Sequence, residues 1–361
     1  MNLRIPGPTP LPPEVQAALG AEMIDHRGVQ FEEMLQQVTS HLRRFYQTSG
    51  DVLLLTASGT GGLEAALVNV LSPGDHVLAV STGHFGQRWA DIARAFGARV
   101  TQLDVPWGQA LQPAAVGRAL NEHADIRLLL TTHNETSTGV LNDLAPLASI
   151  LRGMGGQRPL WLVDAVSSLG AVDLPTDEWG CDLVISASQK AWMAPPGLAF
   201  VGVSPHAWEC MAQARCPRFY WDLRTARTFA RKGQTPYTPA VSVLFGLRAA
   251  LHRMAEEGLP AIVKRHRLLA AQTRQGLQAL GLRLFADEAC ASPTMTAVWL
   301  PEGVSAVETK CRLLSEHGVA VAAGMGSAKD KILRIAHMGY CTPADIDSVL
   351  VSLDMVLNRK G

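Results

Sequence analysis

"LWLVDAVSSLG" (160–170) and "SASQKAWMAPPGLAF" (186–200) decide how this chain folds. In the first, an apolar run of strand length ends on a carboxylate, Asp164. In the second, the apolar run "CDLVISAS" ends just before a lone lysine, Lys190, which a Pro-Pro-Gly turn soon follows. Asp164 and Lys190 lie 26 residues apart, the span of one strand–crossover–strand unit. Adjacent parallel strands would carry both side chains to the same rim of a sheet, where ligands of such sheets collect.

Working outward, short apolar runs alternate with helical patterns. Strands are expected at 51–57, 76–80, 99–103, 126–132, 160–165, 181–188 and 197–203, and helices at 62–71 and 86–97. The alternation predicts an α/β fold, a doubly wound and mostly parallel sheet with helices on both faces. Beyond about residue 240 the texture changes to two long helical stretches, "VSVLFGLRAALHRMAEEG" and "AIVKRHRLLAAQTRQGLQALG". A strand pair ("PTMTAVWL", "GVAVAAG") and "ILRIAHMG" follow, so a smaller α+β unit is expected there.

The composition excludes several partners. Lys plus Arg is 32 and Asp plus Glu is 32, so a net charge of zero offers no attraction to nucleic acid or an anionic membrane. With 47% hydrophobic and 18% charged residues the chain can fill a large core. The opening "MNLRIPGPTPLPPEV" lacks the apolar centre of a secretory signal, and the charge-free stretch around Pro195 is too rich in Pro and Gly for a membrane helix. The six cysteines form no C-x-x-C pair and no His/Cys metal pattern, which reads as reduced thiols in a cytoplasmic protein.

Three features on the expected rim carry chemistry. "TASGTGGLEAALVN" sets Ser58, Gly59 and Thr60 at the start of a helix, where unpaired N–H groups and the helix dipole favour an anion. Asp164 needs a partner if it is buried. A partly desolvated Lys190 has a lowered pKa and becomes a nucleophilic amine. Each also fits a blander reading: a tight turn, a helix cap or structural ion pair, a surface amine. Together they match pyridoxal 5'-phosphate, which needs a lysine for its aldehyde, an anion site for its phosphate and an acid for its ring nitrogen.

The chain resembles the class V aminotransferases, fold-type I pyridoxal-phosphate enzymes, and within them the alanine–glyoxylate and serine–glyoxylate (serine–pyruvate) group. The resemblance is carried by "PGPTPLPPEV", "SGTGGLEAALVNVLSPGD", "GHFGQRWADIA", "THNETSTGVLNDL", "LVDAVSSLG", "SQKAWMAPPG", "TPYTPAVS" and "LRIAHMG". It implies a large cofactor-binding domain at 21–255, a small C-terminal domain at 256–361 and an N-terminal segment, 1–20, that reaches the active site. Lys190 would bond the cofactor's aldehyde and Asp164 would pair with the ring nitrogen. Phe85, where many relatives have Trp, would stack on the ring, and Val166 would pack on its other face. Thr136 would bond the phenolic oxygen. Ser58, Gly59, Thr60 and Gln189 would hold the phosphate. Tyr237 and Thr238 match a segment that reaches the neighbouring subunit's phosphate, which implies a homodimer with shared active sites. Arg334 would clamp the substrate α-carboxylate, and the segment around Gly7 would help select the substrate.

The implied reaction is transfer of the amino group of a small amino acid, alanine or serine, to a 2-oxo acid, glyoxylate or pyruvate. Ureidoglycine and aspartate donors also occur among look-alikes. Cysteine desulfuration would need a mobile reactive thiol, for which Cys290 is the one in a loop-like setting. A non-catalytic partner subunit of this fold is a further alternative, since some relatives carry labels as hydrogenase-associated subunits. His26 and Arg27 fit either substrate-side groups or solvent-facing ones.

Overall fold

The computed structural model describes residues 1–358; residues 359–361, the end of the expected C-terminal unit, lie outside the described residues. Seven strands form the main sheet: β1 (Asp51–Ala57), β2 (His76–Ser81), β3 (Arg99–Asp104), β4 (Ile126–Thr132), β5 (Leu160–Asp164), β6 (Leu183–Ala187) and β7 (Gly197–Val203). Their spatial order is β1-β7-β6-β5-β4-β2-β3. Every pairing is parallel except that of β7, which runs antiparallel to both β1 and β6. The central strands are buried on both faces, as their continuous Val/Ile/Leu runs predict, whereas the edge strand β3 is partly exposed along its length. Along β5, Trp161 and Val163 pack with Phe31, Leu42 and Trp192, while Leu160 and Leu162 pack with Leu67, Trp89 and Ile185 on the opposite side.

The register delivers the site. Asp164, the last residue of β5, lies opposite Thr132 of β4 and Ile185 of β6. The chain leaves β6 at Ala187 and returns as β7 at Gly197, so residues 188–196 form a loop over the carboxyl rim. Ser188 ties the loop shut: its hydroxyl donates to the Pro195 carbonyl (2.6 Å) and accepts the Leu198 N–H (3.2 Å). Trp192 pins it from below, fully buried, with Nε1 donating to Ser186 Oγ at 2.7 Å.

Two expected helices begin earlier than their apolar periodicity indicates. The helix expected from 62 starts at Gly59, because Ser58 caps it by accepting the Gly61 N–H (3.3 Å). The helix expected from 86 starts at His84. The two long C-terminal helices, Val241–Glu257 and Leu259–Ala279, are separated by Gly258 at φ +79°.

The C-terminal strand expectation needs correcting. "PTMTAVWL" and "GVAVAAG" do not pair with each other; β8 (Met295–Trp299) and Ala322–Ala323 flank β9 (Ile332–Ala336), which is antiparallel to both. The stretch 319–323 is also divided. Val319–Ala320 pairs in parallel with Asn2–Leu3 at the other end of the chain, so one apolar run serves two partners. Local alternation carries no trace of so distant a partner. Among the described residues no helix is long and apolar enough to cross a membrane.

Candidate active site

A cavity of about 190 Å³ opens at the carboxyl rim of the sheet. Of the residues singled out in the sequence, Ser58, Gly59, Thr60, Phe85, Thr136, Asp164, Val166, Gln189 and Lys190 line it. Lys190 is half-buried as a residue. Burial pushes its amine down to about 8, with the Asp164 charge pulling upward and Arg334 and Arg88 adding to the depression. Its Nζ donates to the Pro6 carbonyl. Asp164 is buried, and burial is the main cause of a carboxyl raised to about 7; the Val166 N–H, 2.9 Å from Oδ1, opposes the rise and the nearby Glu135 charge adds to it.

The N-terminal segment closes over the lysine. Gly7 sits at φ +97°, a conformation that favours glycine, and a Cβ there would meet Lys190 Nζ at 2.7 Å and push the end of the lysine aside. Thr9 holds the loop from the same side: its N–H donates to the Gln189 carbonyl (3.1 Å) and its hydroxyl to the Lys190 carbonyl (2.9 Å).

Arg334, central in β9, is nine-tenths buried and does not line the cavity wall itself. It reaches the site through Thr136: Nη1 donates to the Thr136 carbonyl (3.0 Å) and Nε to the Ala323 carbonyl (2.9 Å). These two bonds fix the plane of the guanidinium. Tyr237 and Thr238 lie away from the cavity of their own chain. Tyr237 stacks on Tyr220 at a centroid distance of 4.8 Å, its hydroxyl donates to the Phe219 carbonyl (3.1 Å), and Thr238 is exposed. Arg27 donates to Gln234 Oε1 (3.0 Å) and the Thr235 carbonyl (2.6 Å), and neither it nor His26 lines the cavity. Cys290 also lies elsewhere, in a short turn with Sγ on the Gly108 carbonyl (3.6 Å), its thiol pushed up chiefly by burial.

Sequence reasoning missed four residues of the cavity wall: Leu63, Arg88, Asn134 and Ser167. Arg88 lies one helical turn after Phe85, with its guanidinium carbon 4.8 Å from that ring's centroid, and it donates to Thr60 Oγ1 (3.2 Å). The Phe85-to-Arg88 spacing of three puts both on one helix face, which was the available signal. Asn134 bridges Ser167 Oγ (2.8 Å) and Thr294 Oγ1 (3.1 Å), a link no local pattern announces.

The groups present fit pyridoxal phosphate. The amide oxygen of Gln189 is buried with no hydrogen-bond partner, as is expected of a group waiting for a ligand. Asp164 accepts one backbone N–H and lacks a contacting cation, a deficit that a protonated ring nitrogen would fill. At Gly59 a Cβ would press on both methyls of Val166 at 3.1 Å, so the glycine lets the helix start close to the floor of the cavity.

The model of the family described as aminotransferase class V matches residues 5–349. A protein named soluble hydrogenase, small subunit, from Synechococcus sp. (strain PCC 6716) is 43% identical over 99% of this chain and 93% of its own length. The L-aspartate–glyoxylate aminotransferase of Paracoccus denitrificans is 39% identical over 99% of this chain and 91% of its own. Among solved structures, an alanine–glyoxylate aminotransferase from Nostoc sp. superposes with a TM-score of 0.94 at 31% identity, covering 99% of this chain and 95% of that one.

Proposed function

The chain belongs to the class V aminotransferases, and from that premise we propose that it moves the amino group of alanine or serine to glyoxylate or pyruvate. It is a pyridoxal-phosphate-dependent transaminase. The observation that carries the reading is Lys190 in the cavity wall, its amine lowered to about 8, on the same rim as Asp164.

When bound, pyridoxal phosphate supplies an aldehyde that condenses with amines and a ring that draws electrons from the substrate Cα. Lys190 Nζ holds the cofactor and, once released, takes the proton from the substrate Cα; a base works best when its pKa lies near the working pH. Asp164 keeps a proton on the ring nitrogen, where an opposite charge restores the carboxylate to its ionised form. Gly59 and Thr60 offer helix N-terminal N–H groups to the phosphate, joined by Ser58 and Gln189. Phe85 and Val166, which line the cavity, would hold the ring, and Thr136 would offer its hydroxyl to the phenolic oxygen. Arg334 binds the substrate carboxylate as a planar fork.

A small donor is supported by the closeness of Gly7 to Lys190, which leaves little height above the amine. The residues 1–20 act as an arm to the site, with cofactor- and substrate-handling units at 21–255 and 256–361. That Tyr237 and Thr238 stand outside their own cavity supports service to a second copy, hence a homodimer. Six free thiols support a cytoplasmic setting.

Aspartate as donor is a second reading, favoured by the name of the Paracoccus relative and by Arg88, which places a guanidinium in the cavity wall. Rates with alanine, serine and aspartate against glyoxylate, pyruvate and 2-oxoglutarate decide the matter. Alanine or serine with glyoxylate should give the highest kcat/KM, and a clear preference for aspartate would replace the first reading.

A further inference from the structure

Glu135 is fully buried, and its four partners are N–H and O–H groups of the chain. Oε2 accepts the N–H groups of Phe85 (3.0 Å) and Gly86 (3.1 Å), in the first turn of the helix His84–Ala95. Oε1 accepts the N–H (3.0 Å) and hydroxyl (2.6 Å) of Ser137. The Ser137 hydroxyl in turn accepts the His84 N–H at 2.9 Å. One carboxylate thus fastens the start of the helix that bears Phe85 and Arg88 to the turn that bears Thr136. The seam is tight: a Cβ at Gly83 would lie 2.6 Å from Glu135 Cγ. The other side of that turn holds Arg334, through the Thr136 carbonyl at 3.0 Å.

We propose that Glu135 is a positioning residue that joins the ring-stacking half of the site to the carboxylate-binding half, so that Phe85 and Arg334 are set by one group. The proposal rests on the reading of this cavity as the pyridoxal-phosphate site. Its physical basis is the acceptor capacity of the two carboxyl oxygens, which receive all four donors. A glutamine of the same size accepts at one oxygen and presents an NH₂ at the other, which would oppose either the Phe85 and Gly86 N–H pair or the two Ser137 donors. Leaving buried donors unpaired at such a seam is costly, and hydrogen bonds to charged groups are the stronger kind.

The test is Glu135→Gln, purified with and without cofactor. Pyridoxal phosphate affinity is read by absorbance titration of the cofactor-stripped chain, KM for the amino donor at saturating cofactor, and Tm without cofactor. Both the cofactor Kd and the donor KM should rise by on the order of 10-fold. Phe85→Ala should raise only the Kd and Arg334→Ala only the KM. Glu135→Asp, which keeps both acceptor oxygens, should recover part of each loss. A lowered Tm with Kd and KM unchanged would mean that Glu135 only supports the fold, and the proposal would be overturned. If Phe85→Ala and Arg334→Ala also change neither constant, the reading of the site itself has failed. Should Glu135→Gln yield no soluble protein, Ser137→Ala takes its place, since it removes one donor to Oε1 and the acceptor for His84. Both constants should then rise by a smaller factor, and unchanged constants would overturn the proposal.

Discussion

Asp164 ends one strand and Lys190 lies in the loop just past its parallel neighbour, and the register of that one pair brings them to the same rim. Arg334 comes from a different sheet and is held by a carbonyl 198 residues away. The first wall of the cavity depends on hydrogen bonds that form within one strand–crossover–strand unit. The second, in which Arg334 stands behind the lining and reaches it through Thr136, depends on the packing of β9, the turn at 134–138 and the N-terminal segment against one another. The difference teaches where each kind of damage should appear: in the chemistry for the first wall, in substrate recognition for the second.

Lys190→Ala strikes the first wall hardest. Loss of both tether and base should lower kcat by on the order of 10⁴-fold or more and remove the cofactor's bound absorbance band. Substantial residual turnover would refute the division outright. Asp164→Asn keeps the shape but loses the charge that the ring nitrogen requires, and kcat should fall by on the order of 10²-fold with some cofactor retained. Unchanged turnover would mean that another group protonates the ring. Arg334→Ala tests the second wall, and should raise KM for the amino donor by on the order of 10²-fold with kcat much less affected. A loss in kcat instead would erase the contrast between the walls.

A pH experiment sharpens it. Lys190 is lowered from 10.5 to about 8, so its neutral, reactive form appears earlier as pH rises. The rate at which the cofactor-stripped chain captures pyridoxal phosphate should climb with a midpoint near 8, followed by stopped-flow absorbance; a midpoint near the ordinary lysine value would mean the amine is not desolvated. The linkage follows the same sign. A depressed folded pKa gives stability that is full above 10.5 and lost as pH falls through about 8. Lys190→Met should therefore raise the Tm of the cofactor-free chain at pH 7, with a smaller gain at pH 10. The smallest effect belongs to Cys290→Ala, outside both walls: transamination should stay within about twofold, and a large loss would reopen the desulfuration reading.

How much was legible follows the same line. The strands of the main sheet could be read because each is an unbroken apolar run between turns, and Asp164 and Lys190 because they interrupt those runs. The glycine loop was legible as a helix start, although the apolar periodicity sets in only at 62, three residues after the helix begins at Gly59 behind its Ser58 cap. Arg334, Phe85 and Thr136 were singled out only through family resemblance, since nothing local distinguishes them from strand, core or turn residues. Glu135 was invisible as a site residue, because a glutamate in a polar turn ordinarily points to water. Its burial depends on a helix 50 residues earlier presenting two N–H groups to it. The division of 319–323 between two sheets was unreadable for the same reason.

The pairing of Asn2–Leu3 with Val319–Ala320, strengthened by the Asn2 side chain on the Asp345 carbonyl at 2.7 Å, bears on the order of assembly. Residues 2–3 can find this partner only once residues 319–320, far later in the chain, have been made. The closing of the strand that leads into Gly7 is therefore late, although Thr9 already ties the same segment to Gln189 and Lys190. A bulky fusion at the amino terminus should delay that closure, whereas the same fusion at the carboxyl terminus should not.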